Sequence, residues 1–321
     1  MRYLFIIWLA LGGIAHSAES NLTAKQILQK MVKSMQVSNC RGTVVFLKND
    51  KLEAMKYTHT VDKNREQERL VSLNSPQREI VRNSDEVKCS FKSTGNVIAD
   101  SRPYEHSFIV DVPENLDGLD SSYSFEVVGE EVIAMMPSFV IAIQPKDDFR
   151  YVRKIWVAKE QLLPLKAIVY DLSGVVLEQV VFTDIQVDKE VGKIATTEPP
   201  SHLQQANEKS VDVDGKAAFQ VTALPQGFKQ IFFSRKPLHK SEQPVDHVLL
   251  SDGFASVSVY LESRINEAAS DAHLPDGIHS VGAVNSLSRT LADSQLTVLG
   301  EVPAATIKYI AEGVKLRNAN R

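Results

Sequence analysis

The chain has 321 residues, 36 Lys and Arg against 40 Asp and Glu, a formal charge of −4, 43% hydrophobic residues and only two cysteines. This composition excludes a disordered chain, a collagen-like repeat and a disulfide-stapled scaffold. The length suits about two domains, and a slightly negative chain offers no general attraction to nucleic acid, whose ligands concentrate Lys and Arg.

Met1-Arg2 precedes the apolar run YLFIIWLALGGIA and the small residues Ala15, Ser17 and Ala18. Residues 1–18 therefore read as a cleavable signal peptide, cut after Ser17 or Ala18. The run is shorter than the ~20 residues of a membrane span. Export implies an oxidising compartment, in which Cys40 and Cys89 are allowed to form one disulfide. A simple meander between them brings Cys40 nearer Val61 than Cys89, which argues for two free thiols unless the sheet curls. Both alternatives stand at this point.

Thr23-Ala24-Lys25-Gln26 has the form of a capping box. Ile27, Leu28, Met31, Val32 and Met35 follow at helical spacing, so one amphipathic helix is expected. From Arg41 to Phe91, β-rich runs are separated by Asn49-Asp50, Asp62-Lys63-Asn64, Asn74-Ser75-Pro76 and Asn83-Ser84-Asp85, the spacing of an antiparallel meander. Residues 92–120 read as irregular and polar. Strand signals resume at 132–134, 139–143, 151–157, 165–170 and 175–182, with Asp171-Leu172-Ser173-Gly174 as a hairpin turn.

The expected fold is thus α+β and mainly antiparallel β. Its first part is a large curved sheet with helical cover over residues 19–197. Residues 198–216, opening on Pro199-Pro200, read as a linker. Residues 217–321 form a smaller α+β domain with strands at 219–223, 229–234, 245–251, 255–262 and 296–300. A helix begins near Pro303 and buries Ile307, Ile310, Ala311 and Val314. Ten basic and ten acidic residues cancel across 217–321.

Reactive motifs are missing from the sequence. The eight histidines are scattered, and HExxH, GxSxG, GxGxxG and the P-loop pattern do not occur. No enzyme activity, metal or cofactor is expected. Asp147-Asp148 reads as a polar turn, His247 as a satisfied sheet residue, and Met135-Met136 as core packing or the wall of an adaptable apolar cavity.

Several segments carry a family resemblance: NCRGTVVFLKNDKLEAMKYTH (39–59), REQERLVSLNSPQREIVRNSDEVKC (65–89), AIQPKDDFRYVRKIWVAKEQLLPLKAIVYDLSGVVLEQVVFTDI (142–185), LPQGF (224–228), DHVLLSDGFASVSVYLE (246–262) and VGAVNSLSRTLADSQLTVLGEVPAATIKYIAEGV (281–314). Together they resemble the MucB/RseB family of periplasmic sigma-E regulatory proteins over nearly the whole mature chain. The resemblance implies an unclosed β-barrel similar to the lipoprotein carriers LolA and LolB, followed by a second domain. It also implies binding to the periplasmic domain of a membrane-bound anti-sigma factor, which is thereby shielded from proteolysis until lipopolysaccharide or another acylated lipid binds. A lipid or lipoprotein carrier of the LolA type is the alternative, and a homodimer stays open. On this reading the expected cavity lining is Val44, Phe46, Met55, Leu70, Ile80, Phe139, Ile141 and Trp156. The expected partner contacts are Asp252, Ser256, Ser258, Arg289 and Glu301.

Overall fold

The computed structural model describes residues 22–62, 65–74, 76, 78–83, 87–91, 97–100, 107–188, 216–237, 244–263 and 276–317. The expected signal peptide, and the expected linker up to residue 215, lie outside the described residues. Helix α1 (Ala24–Val37) starts on the anticipated capping box. The Thr23 hydroxyl accepts from the Gln26 amide at 3.3 Å, and the Gln26 side chain accepts from the Thr23 amide at 2.9 Å. Two amides that the first helical turn leaves unpaired are satisfied in this way.

After α1 the chain forms β1 (Asn39–Lys48), β2 (Lys51–Asp62), β3 (Arg65–Ser72), β4 (Arg78–Asn83), β5 (Val87–Phe91) and β6 (Val97–Asp100). It continues with β7 (Tyr123–Ile133), β8 (Met136–Pro145), β9 (Val152–Ala158), β10 (Pro164–Tyr170) and β11 (Val176–Asp188). The order β6-β5-β4-β3-β2-β1-β11-β10-β9-β8-β7 is two antiparallel meanders joined where β1 pairs with β11. The sheet therefore keeps two free edges, β6 and β7, and does not close. Gly42 makes the joint: a Cβ there would lie 2.2 Å from the Asp184 carbonyl oxygen, beside the register shift at Thr43/Val44.

Side chains of one face meet α1 and the segment 107–116. Ile27, Leu28 and Met31 pack with Ile141, Ile143, Ile155 and Val157, while Val110, Val112 and Leu116 are buried in the same cluster. The stretch expected to be polar thus ends in a run that covers the sheet. Farther along the same face, Val44, Met55, Tyr57, Leu70, Leu165 and Phe182 form a second cluster.

Cys40 and Cys89 are free thiols, which removes the disulfide alternative. They lie on β1 and β5, four strands apart, roughly 19 Å at the usual strand spacing, well beyond the ~7 Å Cα limit for a bridge. Cys40 faces His59 rather than Val61. The reason is the β1–β2 turn, in which Asn49 and Asp50 both have positive φ (52° and 57°), a two-residue turn that sets Lys48 opposite Lys51.

The C-terminal part comprises β12 (Phe219–Val221), β13 (Lys229–Pro237), β14 (Pro244–Ser251), β15 (Ser256–Ser263), β16 (Gly277–Val281), β17 (Val284–Leu291), β18 (Ser294–Gly300), α2 (Ala304–Glu312) and β19 (Val314–Leu316). Six strands form a sheet ordered β13-β14-β15-β18-β17-β16, with α2 against β17 and β18, and β12 pairs with β19. Ile307, Ile310, Ala311 and Val314 are buried as anticipated, with Pro303 as N-cap. Strands β16, β17 and β19 were not anticipated: β16 and β19 are only five and three residues long, with Val314 of β19 expected on the helix, and β17 carries polar residues on both faces, Asn285 on one and Ser286 and Ser288 on the other.

Candidate functional site

Antiparallel register places β1, β2 and β3 side by side, and their polar residues converge beneath segment 107–109. Glu68, 1% exposed, accepts from Tyr57 Oη (2.7 Å), Arg82 Nε (2.9 Å), Ser107 Oγ (2.8 Å) and the Phe108 amide (2.8 Å). A buried carboxylate with four donors is fully compensated. Arg82 also donates to Glu66 at 2.6 Å, and Glu66 faces His59 Nε2 at 3.1 Å. The other His59 nitrogen donates to the Ser38 carbonyl at 2.6 Å. Burial alone pushes the His59 pKa down, but the bonds to Glu66 and Ser38 and the charges of Glu68 and Glu66 outweigh it and raise the pKa. Both ring nitrogens face acceptors, the pattern of an imidazolium.

Next to this network is a pocket of about 290 Å³, partly open to solvent, lined by Met35, Cys40, Tyr57, His59, Ile109, Leu163, Pro164, Phe182 and Ile185. Burial, with the charges of Glu68 and Asp188, pushes the Cys40 thiol up to about 12, so it is an inert wall residue.

None of the eight expected cavity residues lines this pocket. Val44, Met55, Leu70, Phe46 and Ile80 belong to the cluster around it, and Phe139 and Ile141 to the cluster under α1. Trp156 requires correction: it lies on the opposite face, with Val140 and Ile168. On β9, Ile155 and Val157 point toward α1, and strand alternation turns Trp156 outward. There its Nε1 donates to Glu131 at 2.8 Å and the Lys166 ammonium stands 4.3 Å from its ring centroid. Met135, 94% exposed, is at the tip of the β7–β8 hairpin, whereas Met136 packs on the second cluster.

At the other end of the strands, the loops around 146–151 meet the C-terminal domain. Arg150, fully buried, donates through Nε to Asp252 Oδ2 at 2.5 Å and also to Asp147 and the Gln226 carbonyl. Its guanidinium stands 5.3 Å and 5.1 Å from the ring centroids of Tyr123 and Phe228. Tyr123 Oη donates to the same Asp252 oxygen at 2.8 Å, and the second oxygen accepts from the amides of Phe254 and Ala255. Gly227 (φ 86°) lets the LPQGF turn pass beside Ser122 and Arg150. The turn 251–254 in turn inserts Phe254 into the cluster under α1, 5.3 Å from the Tyr123 ring.

Further polar links surround this junction. Asn285 donates to Tyr151 Oη (2.8 Å), Thr306 to the Phe149 carbonyl (2.8 Å) and the Ala283 amide to Glu178 (3.0 Å). Of the expected partner contacts, Asp252 and Glu301 are at the junction, the latter 3.8 Å from Arg153. Ser256 is exposed, Ser258 bonds His247 at 3.1 Å, and Arg289 donates to the Ala311 carbonyl near the end of α2. These five do not form one surface. Sequence reasoning missed Tyr123, Arg150, Phe254 and Asn285. The signal available was two glycine turns carrying aromatic residues, Gly227-Phe228 and Gly253-Phe254.

Among the described residues, no group of three or more His, Cys, Asp or Glu side chains is arranged to hold a metal, and no helix is long and apolar enough to cross a membrane. The geometry defines a class: two-domain, mainly antiparallel proteins in which an unclosed, apolar-lined sheet is joined at one end to a smaller α+β domain by a buried polar junction. Within that class, the chain belongs to the MucB/RseB family. Residues 23–203 match the MucB/RseB N-terminal domain and residues 213–315 the MucB/RseB C-terminal domain. The chain is 28% identical over 321 residues to the Sigma-E factor regulatory protein RseB of Escherichia coli K12, covering 97% of each. It is 25% identical over 323 residues to the Sigma factor AlgU regulatory protein MucB of Pseudomonas aeruginosa, covering 98% of each. The fold is similar to MucB in the Pseudomonas aeruginosa MucA/MucB complex, with a TM-score of 0.67 at 23% identity over 92% of this chain and 99% of that one.

Proposed function

We propose that this protein is a periplasmic negative regulator of an envelope-stress sigma factor. It binds the periplasmic domain of a membrane-bound anti-sigma factor and shields it from regulated proteolysis, without catalysis of its own. The observation that carries this reading is similarity to regulators of this family across both domains, including the segments that build the junction. A carrier needs only the half-barrel, whereas here an α+β domain is held to its rim by a buried ion pair.

Acylated lipid, with lipopolysaccharide as the leading candidate, favours release of the anti-sigma factor by entering the apolar side of the sheet. Reversing a 1:99 equilibrium takes about 5.5 kcal/mol of differential affinity. Burial of CH₂ groups at roughly 0.8 kcal/mol each supplies this from one chain. The 290 Å³ pocket must widen to admit it.

The test is a pull-down of the mature protein with the purified periplasmic domain of the cognate anti-sigma factor, with and without lipopolysaccharide. Capture without lipid and loss with lipid are expected. Capture that lipid leaves unchanged would reject the release mechanism, and no capture would reject the regulator. Tight lipid binding without capture would favour a carrier of the LolA type.

A further inference from the structure

Strand β7 ends the eleven-stranded sheet and, among the described residues, pairs only with β8. Along its eleven residues, one row of backbone N–H and C=O groups therefore faces away from any strand. Every residue from Glu126 to Val132 is exposed, so no described part of the chain covers this edge. Val127, Val128 and Val132 are 36%, 47% and 67% exposed. The other edges of the two large sheets differ: β6 and β16 are shorter, with four and five residues, and β13 carries Lys229, Arg235 and Lys236 and ends on Pro237.

Charge decides what such an edge can take. β7 contains Glu126, Glu130 and Glu131 and no basic residue. Pairing two copies of β7 about a two-fold axis would set these carboxylates against one another, and like charges across a strand pair are destabilising. An extended chain with Lys or Arg beside apolar residues meets the opposite situation. It completes the open hydrogen-bond ladder, meets the Glu126 carboxylate and covers the valines, whereas Glu130 and Glu131 are already held by Lys159 and the Trp156 indole. Strand addition of this kind takes affinity from the main chain and specificity from alternate side chains.

We propose that the free edge of β7 is a docking site for an extended, basic and apolar segment of the partner polypeptide, added as a twelfth strand. The proposal rests on the anti-sigma reading above and says where, and in what conformation, that partner binds. The bulge between Val127 and Gly129 leaves Val128 without an opposite residue on β8. Proline at Val128 therefore blocks an incoming strand without displacing a paired residue of β8.

Hydrogen exchange by mass spectrometry on the mature full chain, with and without the purified periplasmic domain of the anti-sigma factor, tests the site. Amides over 126–133 should slow at least tenfold in the complex, while those of β13 and β16 keep their rates. Val128→Pro should weaken binding more than tenfold. Glu126→Lys, a surface change that cannot disturb folding by burial, should weaken it about five- to tenfold at low salt, with the difference vanishing at high salt. A complex that leaves 126–133 unprotected, or that both variants form with unchanged affinity, overturns the β7 site while keeping the regulator. Protection of β7 that rises with protein concentration alone overturns it in favour of self-pairing. Failure of the complex to form in calorimetry overturns both.

Discussion

Arg150 and Asp252 carry opposite charges that are both out of solvent, at 1% and 0% side-chain exposure. Such a pair adds little over a well-packed apolar replacement, but removing one member strands the other. Arg150→Met should therefore cost about 3–5 kcal/mol, measured by urea denaturation. Arg150→Met with Asp252→Asn should recover part of that loss, because the amide oxygen still accepts from Phe254 and Ala255 while the stranded charge is gone. Equal destabilisation by the single and double variants would show that packing, not charge, sets the cost. His59 gives a second prediction at this scale. Its folded pKa lies above the ordinary 6.5, so its contribution is complete below about 6.5 and is lost as pH rises through the folded value. The melting temperature of the wild type should fall as pH rises above about 6.5, and His59→Gln should flatten that slope. An unchanged slope in the variant would remove His59 as its source.

Elements whose signals are local were legible in the sequence. The capping box and the 3.6-residue period of Ile27, Leu28 and Met31 defined α1, and Asp171 to Gly174 defined the β10–β11 hairpin, where Asp171 accepts from the amides of Ser173 and Val175. Alternation failed where a bulge or a polar face broke it. The shift at Val127/Gly129 disguised most of β7, and the serines of β17 hid a strand whose Ser288 bonds Thr297 across the sheet. A two-residue error in the β1–β2 register was enough to misplace the residue opposite Cys40. The outward turn of Trp156 had the same origin, since parity along a strand is fixed by neighbours that a sequence does not display. Contacts that cross between domains, such as Arg150 with Asp252, have no sequence period at all.

Viewed over the whole molecule, the pocket and the junction occupy opposite ends of the same strands. Cys40 borders the pocket, and Lys48, bonded to Glu178 beside the contact with Ala283, borders the junction. Eight residues of β1 separate them, roughly 27 Å at the usual rise. A ligand confined to the pocket is thus well away from Ala283, and its influence on the C-terminal domain passes through the sheet, the buried pair and the cluster under α1, in which Met35 of the pocket wall and Phe254 both pack. Thermodynamic linkage makes this measurable. Lipopolysaccharide at about one hundred times its Kd adds about 2.7 kcal/mol to whatever unfolds together with its site. With the junction intact, calorimetry should record a single transition, and the lipid should raise it as a whole by roughly 4–5 °C. In Arg150→Met the domains should melt separately, and the lipid should move only the transition of the half-barrel. If the lipid still raises both transitions in that variant, coupling runs through the remaining contacts of Asn285, Thr306 and Ala283 rather than through the Arg150–Asp252 pair.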